Sequence, residues 1–532
     1  MKTIQGQIVD IHQKKIYPGM IYLHKGRIAR VEELPSQNLA DAPYILPGFV
    51  DAHIHLESSM MHPQEFSRHV LPHGSIACIC DPHEIANVCG VKGIDYMLEQ
   101  SAQSSLKCFF GVPSCVPSSP FETSGAELNA ATVEQLLQRH DLYFLAEMMD
   151  ATGVLQHNAE VWAKLEAAKR IQKPIDGHAP GLSGDDLKTY VRAGIQTDHE
   201  CMHLDEAYEK IKLGMLIQIR EGSAAKNFEA LLPLLSTHPE YCLFCSDDKH
   251  PNDLLQNGHI NQLVKRAIAA GYDLFDTLRA ASLNPIRHYR IPVGMLQEGD
   301  PADFIVVRDL KDFKVLETWI DGKIAFDHET PTTRPVENIH CINQFNAAPI
   351  HIKDIQRPST DHPIPVIGVE TDQLYTHALQ KSLHDEDVLK IVVYNRYTPS
   401  KPAVAYVHNF GLKRGALASS IAHDSHNLIA VGVSDEDIVR AINRIIQSKG
   451  GIVALDATKE AFLPLPIAGL MSTLPGEEVA RIYQQADRLA KEMGSTLDAP
   501  FMTLAFLSLT CIPQLKISDK GLFDGVLQQF IS

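Results

Sequence analysis

Two histidines two residues apart, His53 and His55, close an apolar run (Tyr44 to Val50) in the stretch Pro47-Gly48-Phe49-Val50-Asp51-Ala52-His53-Ile54-His55-Leu56-Glu57-Ser58-Ser59. On a strand, residues two apart share a face, so both imidazoles point the same way. Such a pair at the end of a buried strand suits a divalent metal better than a hydrophobic core. Further along, apolar segments end in Glu147, in His178, in His199 and in Asp247-Asp248. Each has a plainer reading: a hydrogen-bonded strand-end histidine, or an aspartate that turns the chain or caps a helix. Glu147 is the exception, because a carboxylate in an apolar strand is costly to bury without a metal, a cation or a proton. Together, in the order HxH, Glu, His, His, Asp, these residues make a set of four imidazoles and two carboxylates. That set is enough for two ions of Zn, Mn or Fe(II) bridged by a carboxylate and a hydroxide.

The elements that would carry them alternate. Eight strand candidates span 46–55, 75–81, 107–112, 142–148, 174–178, 195–199, 214–219 and 241–246, and most are separated by helical patterns such as 132–139, 158–170 and 184–193. Strand and helix alternating over roughly 240 residues predict a (β/α)8 barrel, whose chemistry sits at the C-terminal strand ends. An open doubly wound sheet is the structural alternative, but no GxGxxG loop follows the first strand. Residues 3–34 alternate like short strands, with turns expected at Pro18-Gly19 and Lys25-Gly26, and a second set of the same texture covers 302–326. The expected organisation is therefore an α/β chain with a small β-domain built from 1–45 plus 291–327. The barrel follows at 46–290, a linker or wrapping arm at 328–365, and a C-terminal α+β domain at 366–532.

Composition narrows the class. The 532 residues are 45% hydrophobic and 21% charged, with a formal net charge of -17. An acidic surface argues against nucleic acid or an anionic membrane as partner, and no run approaches the ~20 apolar residues of a membrane span. The N-terminus lacks an apolar secretory core. Ten irregularly spaced cysteines suggest free thiols in the cytoplasm. Cys242 and Cys245 form a CxxC, but with no second pair a structural zinc site is disfavoured.

These motifs resemble the amidohydrolase superfamily of metal-dependent barrels, and more closely its bacterial adenine deaminase family. The likeness rests on HIHLESSM (His53 to Met60), CDPHEIANV (Cys80 to Val88), DGHAPGLSG (Asp176 to Gly184), CSDDKHP (Cys245 to Pro251) and AHDSHN (Ala422 to Asn427), and covers nearly the whole chain. It implies metal ligation by His53, His55, Glu147, His178, His199 and Asp247, with Glu147 as the bridge where many relatives use a carboxylated lysine. Asp247 is favoured over Asp248 as the ligand, with Asp248 left to hold substrate or a ligand. Manganese is the first expectation for the two ions, with Fe(II) or Zn(II) as alternatives.

The implied reaction is hydrolytic deamination of adenine to hypoxanthine and ammonia, a step of purine salvage. Asp247 would move the proton from water toward the leaving amine. Glu57 is either the donor to a ring nitrogen or a partner that steadies a histidine ligand. His83 and Glu84 would contact the purine or steady the metal shell. Arg220, Glu221 and Ser223 read better, one by one, as surface-loop residues. The cluster His423, Asp424, Ser425 and His426 does not make a catalytic triad by adjacency alone; it is expected to cover the barrel mouth or organise the C-terminal domain. A homodimer or higher homo-oligomer is the default assembly. The rival readings are an amidohydrolase acting on another aminated heterocycle or cyclic amide, and a catalytically inactive assembly module.

Overall fold

The computed structural model describes residues 2–35, 41–330, 336, 339–357, 360, 362–371 and 375–531. Parts of the expected small β-domain (36–40), of the linker (331–335, 337, 338, 358, 359 and 361) and of the C-terminal domain (372–374) lie outside the described residues.

The N-terminal alternation forms β1 (Lys2–Asp10), β2 (Lys15–His24) and β3 (Arg27–Glu33), followed by β4 (Tyr44–Leu46). The turn expected at Lys25-Gly26 is present, with φ of 48° and 79°. The one expected at Pro18-Gly19 is not: both residues lie inside β2, opposite Gln7 and Gly6 of β1. The proline is tolerated because its carbonyl, and therefore its missing N–H, faces the end of β3, where it accepts the Leu34 N–H at 2.8 Å.

The apolar run that opened the sequence is split. After β4 the chain turns through Pro47-Gly48 into β5 (Phe49–Ile54), whose six residues are all buried. Then follow β6 (Ser75–Cys80), β7 (Lys107–Val112), β8 (Leu142–Met148) and β9 (Ile175–Gly177), which form a five-stranded parallel sheet with β5. The next three strands, β10 (Thr197–Asp198), β11 (Leu216–Arg220) and β12 (Cys242–Cys245), form a three-stranded parallel sheet. The two sheets meet at both ends. Gln196 N–H donates to the Ile175 carbonyl at 2.9 Å beside β9, and Asp247 N–H donates to the His53 carbonyl at 2.9 Å beside β5. A side chain at Gly177 would run into the Thr197 carbonyl, so the glycine permits the close approach of β9 and β10. Helices fill the crossovers, including Ala130–Leu137, Ala159–Arg170 and Gly184–Arg192.

After the last of these helices come β13 (Phe304–Val307), β14 (Val315–Ile320) and β15 (Lys323–Asp327), which join β4 and β1–β3 in one seven-stranded sheet. Strands from both flanks of the parallel sheets thus pair with each other. The C-terminal part carries an eight-stranded mixed sheet running from Ile364–Gly368 to Glu460–Pro464. Helix Asp435–Ser448, capped by Ser434, lays Ile438, Ala441, Ile442 and Ile445 on that sheet at helical spacing.

Candidate metal centre

Six residues expected from sequence to bind metal converge at the C-terminal ends of the parallel strands. His53 lies in β5 and His55 just beyond it. Glu147 lies near the end of β8, and His178, His199 and Asp247 follow β9, β10 and β12; all six are buried. The Glu147 carboxylate stands between two groups of imidazoles. Its Oε1 is 3.8 Å from His53 Nε2 and 3.3 Å from His55 Nε2, whereas its Oε2 is 2.8 Å from His178 Nδ1 and 3.3 Å from His199 Nε2. Asp247 Oδ1 closes the first group, at 3.7 Å from His53 Nε2 and 3.3 Å from His55 Nε2. Donor atoms of His53, His55 and Asp247 lie within 4.8 Å of one another, and so do those of His178, His199 and Glu200.

Several donors are left over. Both ring nitrogens of His53, Nε2 of His178 and Nδ1 of His199 are buried without a hydrogen-bond partner. The orphaned Nε2 of His53, beside Glu147 and Asp247, fits a metal ion; on His178 and His199 the nitrogens that face Glu147 are Nδ1 and Nε2, the other ends of those rings. His55 donates from Nδ1 to the Asp81 carbonyl at 3.2 Å, which leaves Nε2 free as a ligand atom. Burial pushes His53 well below the ordinary histidine range and keeps it neutral. Burial works the same way on His55 and His199, but Asp247 and Glu147 beside the first, and Glu147 beside the second, overcome it and raise both well above that range. The pocket thus calls for positive charge between its carboxylates. Divalent cations would supply it and release the imidazoles as neutral ligands.

Arg220 corrects the surface-loop reading. It is the last residue of β11, fully buried, and forks onto Glu200, with Nη1 2.6 Å from Oε1 and Nη2 3.0 Å from Oε2. Nη1 also bonds Asp247 Oδ2. Burial, the largest single influence, would raise the Asp247 carboxyl, but the Arg220 guanidinium together with His55, His199 and His53 outweighs it and holds the group well below the usual carboxylate range. Glu221 instead pairs with Arg266 at 2.6 Å, and Ser223 Oγ is buried as acceptor for the His250 N–H at 2.8 Å. Asp248 lines the cleft and accepts from Ser58 Oγ at 2.5 Å.

A narrow cleft opens over these groups. Its wall includes His83, Glu84 and Asp248 and, from the C-terminal part, His423, Asp424, Phe506 and Leu509. Glu57 is not on that wall. Its Oε1 accepts the Ile85 N–H at 3.1 Å, and burial pushes its carboxyl up to about 7. Sequence reasoning missed Phe506 and Leu509 as site residues, gave Glu200 at the strand end no role, and ranked pocket lining by Arg220 below the surface-loop reading. A charge closing the apolar segment Leu216-Ile217-Gln218-Ile219 was the available signal for Arg220.

Residues 44–325 match the amidohydrolase family, which fixes the class. Residues 369–529 match the adenine deaminase C-terminal domain. An adenine deaminase of Salinibacter ruber is 49% identical over 99% of this chain and 98% of its own length. Those of a Sulfurovum species (50%, covering 99% of each chain) and of Methanosarcina mazei (47%, covering 100% of this chain and 99% of its own) are as similar. The chain belongs to the adenine deaminase family of amidohydrolases.

Proposed function

We propose that this chain is the enzyme that deaminates adenine hydrolytically to hypoxanthine and ammonia, at a site built for two divalent ions. The near-full-length likeness to adenine deaminases carries the substrate assignment. The two groups of ligand atoms on either oxygen of Glu147 support the pair of ions. In this reading β5–β12 are one (β/α)8 barrel. The rest of the layout is the small β-domain from 1–45 plus 291–327, the connecting segment 328–365 and the C-terminal domain 366–532.

His53, His55 and Asp247 would hold one ion, His178 and His199 the other, with Glu147 between them. Mixed imidazole and carboxylate donors suit Mn(II) first, and Fe(II) or Zn(II) as well. When bound, the ions make hydroxide available from water at neutral pH. The chain's own groups do the rest. Asp247, kept ionised by Arg220 and the imidazoles around it, accepts a proton from the attacking water and passes it to the amine leaving C6. Glu57, off the cleft wall and bonded to the Ile85 N–H, takes the second of its two readings, a buried partner beside His55 that steadies the ligand shell, and not that of donor to the purine. His83, Glu84 and Asp248 bind the purine from the cleft wall. The reading also places a homo-oligomer in the cytoplasm, in keeping with ten free cysteines, within purine salvage.

Metal analysis coupled to adenine turnover tests this. The wild type should bind two ions and release ammonia from adenine. Glu147→Gln should lose metal and about a hundredfold or more in rate. Both ions and full rate in Glu147→Gln would sink the bridging assignment, and no ammonia from adenine would sink the substrate.

A further inference from the structure

Glu84 opens the helix His83–Cys89 and faces the cleft, yet both its oxygens are met by imidazoles from the C-terminal part. His423 Nδ1 lies 2.9 Å from Oε1, and His426 Nε2 contacts Oε2. The segment carrying them is fixed on several sides. Tyr397 Oη donates to the Ser425 carbonyl at 2.5 Å, and His423 N–H donates to the Ala505 carbonyl at 3.2 Å. Asn427 accepts the Arg396 N–H at 3.2 Å and donates to the Thr123 carbonyl at 2.9 Å. Phe506 stacks on the His423 ring, with centroids 4.8 Å apart.

His426 itself has a φ of 54°, a left-handed conformation that side chains other than glycine adopt at a cost. It is completely buried, neither ring nitrogen makes a well-formed hydrogen bond, and Nε2 is in ion-pair contact with Glu84 Oε2. Its Nε2 contact with Glu84 is therefore the ring's polar engagement, and the backbone is strained at the residue that makes it.

We infer that His423 and His426 are positioning residues that fix the Glu84 carboxylate to receive a purine ring N–H, so that the C-terminal domain completes the substrate pocket. The inference rests on the reading of Glu84 as substrate-binding. His423 Nδ1 and, at 3.5 Å, His83 Nε2 stand beside Oε1 and His426 Nε2 beside Oε2, so imidazoles on both oxygens hold the carboxylate against rotation where it lines the cleft. Adenine offers two kinds of donor: the amine at C6, where the reaction occurs, and the N–H of its five-membered ring. A fixed carboxylate away from the metal ligands matches the second.

The two histidines use different ring nitrogens, which gives a crossed test. A glutamine amide nitrogen falls near imidazole Nε2 and an asparagine one near Nδ1. His426→Gln and His423→Asn should therefore keep the contact, and His426→Asn and His423→Gln should break it. Breaking variants should raise KM for adenine about tenfold or more, the scale of a hydrogen bond to a charged group. Their kcat should fall by less and their metal content should match the wild type. The retaining variants should stay within about threefold in KM, a small fraction of that effect. Equal KM shifts for both substitutions at one position would overturn the inference, as would loss of metal in step with activity. If one pair fails to fold, the other decides. Glu84→Gln separates the two layers: a wild-type KM there removes the substrate role of Glu84 itself. A raised KM in Glu84→Gln beside unchanged KM values in the histidine variants removes only the positioning role.

Discussion

Arg220 sets the charge of the site at the scale of a single residue. Its guanidinium serves the two oxygens of Glu200 and one oxygen of Asp247, all out of water. A planar fork can do this, whereas a lysine ammonium is a single point of charge with another hydration demand. Arg220→Lys keeps the charge and loses the geometry. It should lower kcat/KM by about a hundredfold, the scale expected when a buried ion pair is left imperfectly made. The loss should fall mainly on kcat, because Asp247 is the group disturbed. Steady-state kinetics with metal analysis checks it, and a lysine variant with wild-type kcat would mean that Asp247 does not depend on the fork. The same residue shows where sequence reading stops. His53, His55, Glu147, His178, His199 and Asp247 could be found because each stands at a strand end, a position visible in the local pattern. The partners of Arg220 lie 20 and 27 residues away in the chain, and no local pattern announces them.

Among the elements, Asp51 joins what the strand order separates. It lies in β5, accepts the Ser246 N–H at 3.0 Å and the Ser246 hydroxyl, and accepts the His53 N–H at 3.3 Å. His259 Nε2 stands 2.8 Å from Oδ2, the oxygen that also takes the Ser246 hydroxyl, and the Nδ1 of that ring is 2.6 Å from Ser75 Oγ at the start of β6. One carboxylate thus ties β5, β6 and the residue before Asp247, and its removal leaves several buried donors unpaired. Asp51→Ala should cost about 3–5 kcal/mol of stability, read as a lower denaturant midpoint in metal-free protein. An unchanged midpoint would show that the neighbours re-pair without it. The strands themselves were legible to different degrees. Long apolar runs gave β7 and β8 at the bounds observed, Lys107–Val112 and Leu142–Met148. The strands expected at 174–178 and 195–199 shrink to three and two residues. After β10, the Asp198 carboxylate accepts the N–H groups of Ala179, Glu200 and Cys201, so side-chain bonds replace ladder bonds there. Pro18-Gly19 misled for the converse reason, since turn-forming residues were absorbed into a strand whose neighbour had already ended.

For the whole molecule, the segment 118–123 after β7 is the seam between the amidohydrolase part and the C-terminal part, a contact between distant stretches that no local sequence pattern encodes. Thr123 N–H donates to Asp519, Ser518 Oγ to the Phe121 carbonyl at 2.7 Å, and Lys520 Nζ to the Pro120 carbonyl at 2.9 Å. At its centre Glu122 is buried, accepting from Ser118 Oγ at 2.6 Å and from Thr510 Oγ1 at 3.4 Å. Burial, reinforced by the nearby Asp424 charge, pushes its carboxyl from an ordinary 4.5 up to about 8. A carboxyl that titrates higher folded than unfolded takes up a proton on folding. Its favourable contribution is complete below pH 4.5 and is lost as the pH rises through 8. Glu122→Gln keeps a neutral group that can still accept from the hydroxyls of Ser118, Ser119 and Thr510, so it removes the pH-dependent loss while preserving the seam. The variant should therefore gain on the wild type as pH rises, with little difference at pH 5 and an advantage of roughly 2–4 kcal/mol at pH 8.5. Denaturant unfolding of both proteins across that range measures the gap. Parallel stability curves would mean that Glu122 is as ionised in the folded seam as in the unfolded chain. A widening gap would show that the join between the two parts tightens by taking up a proton.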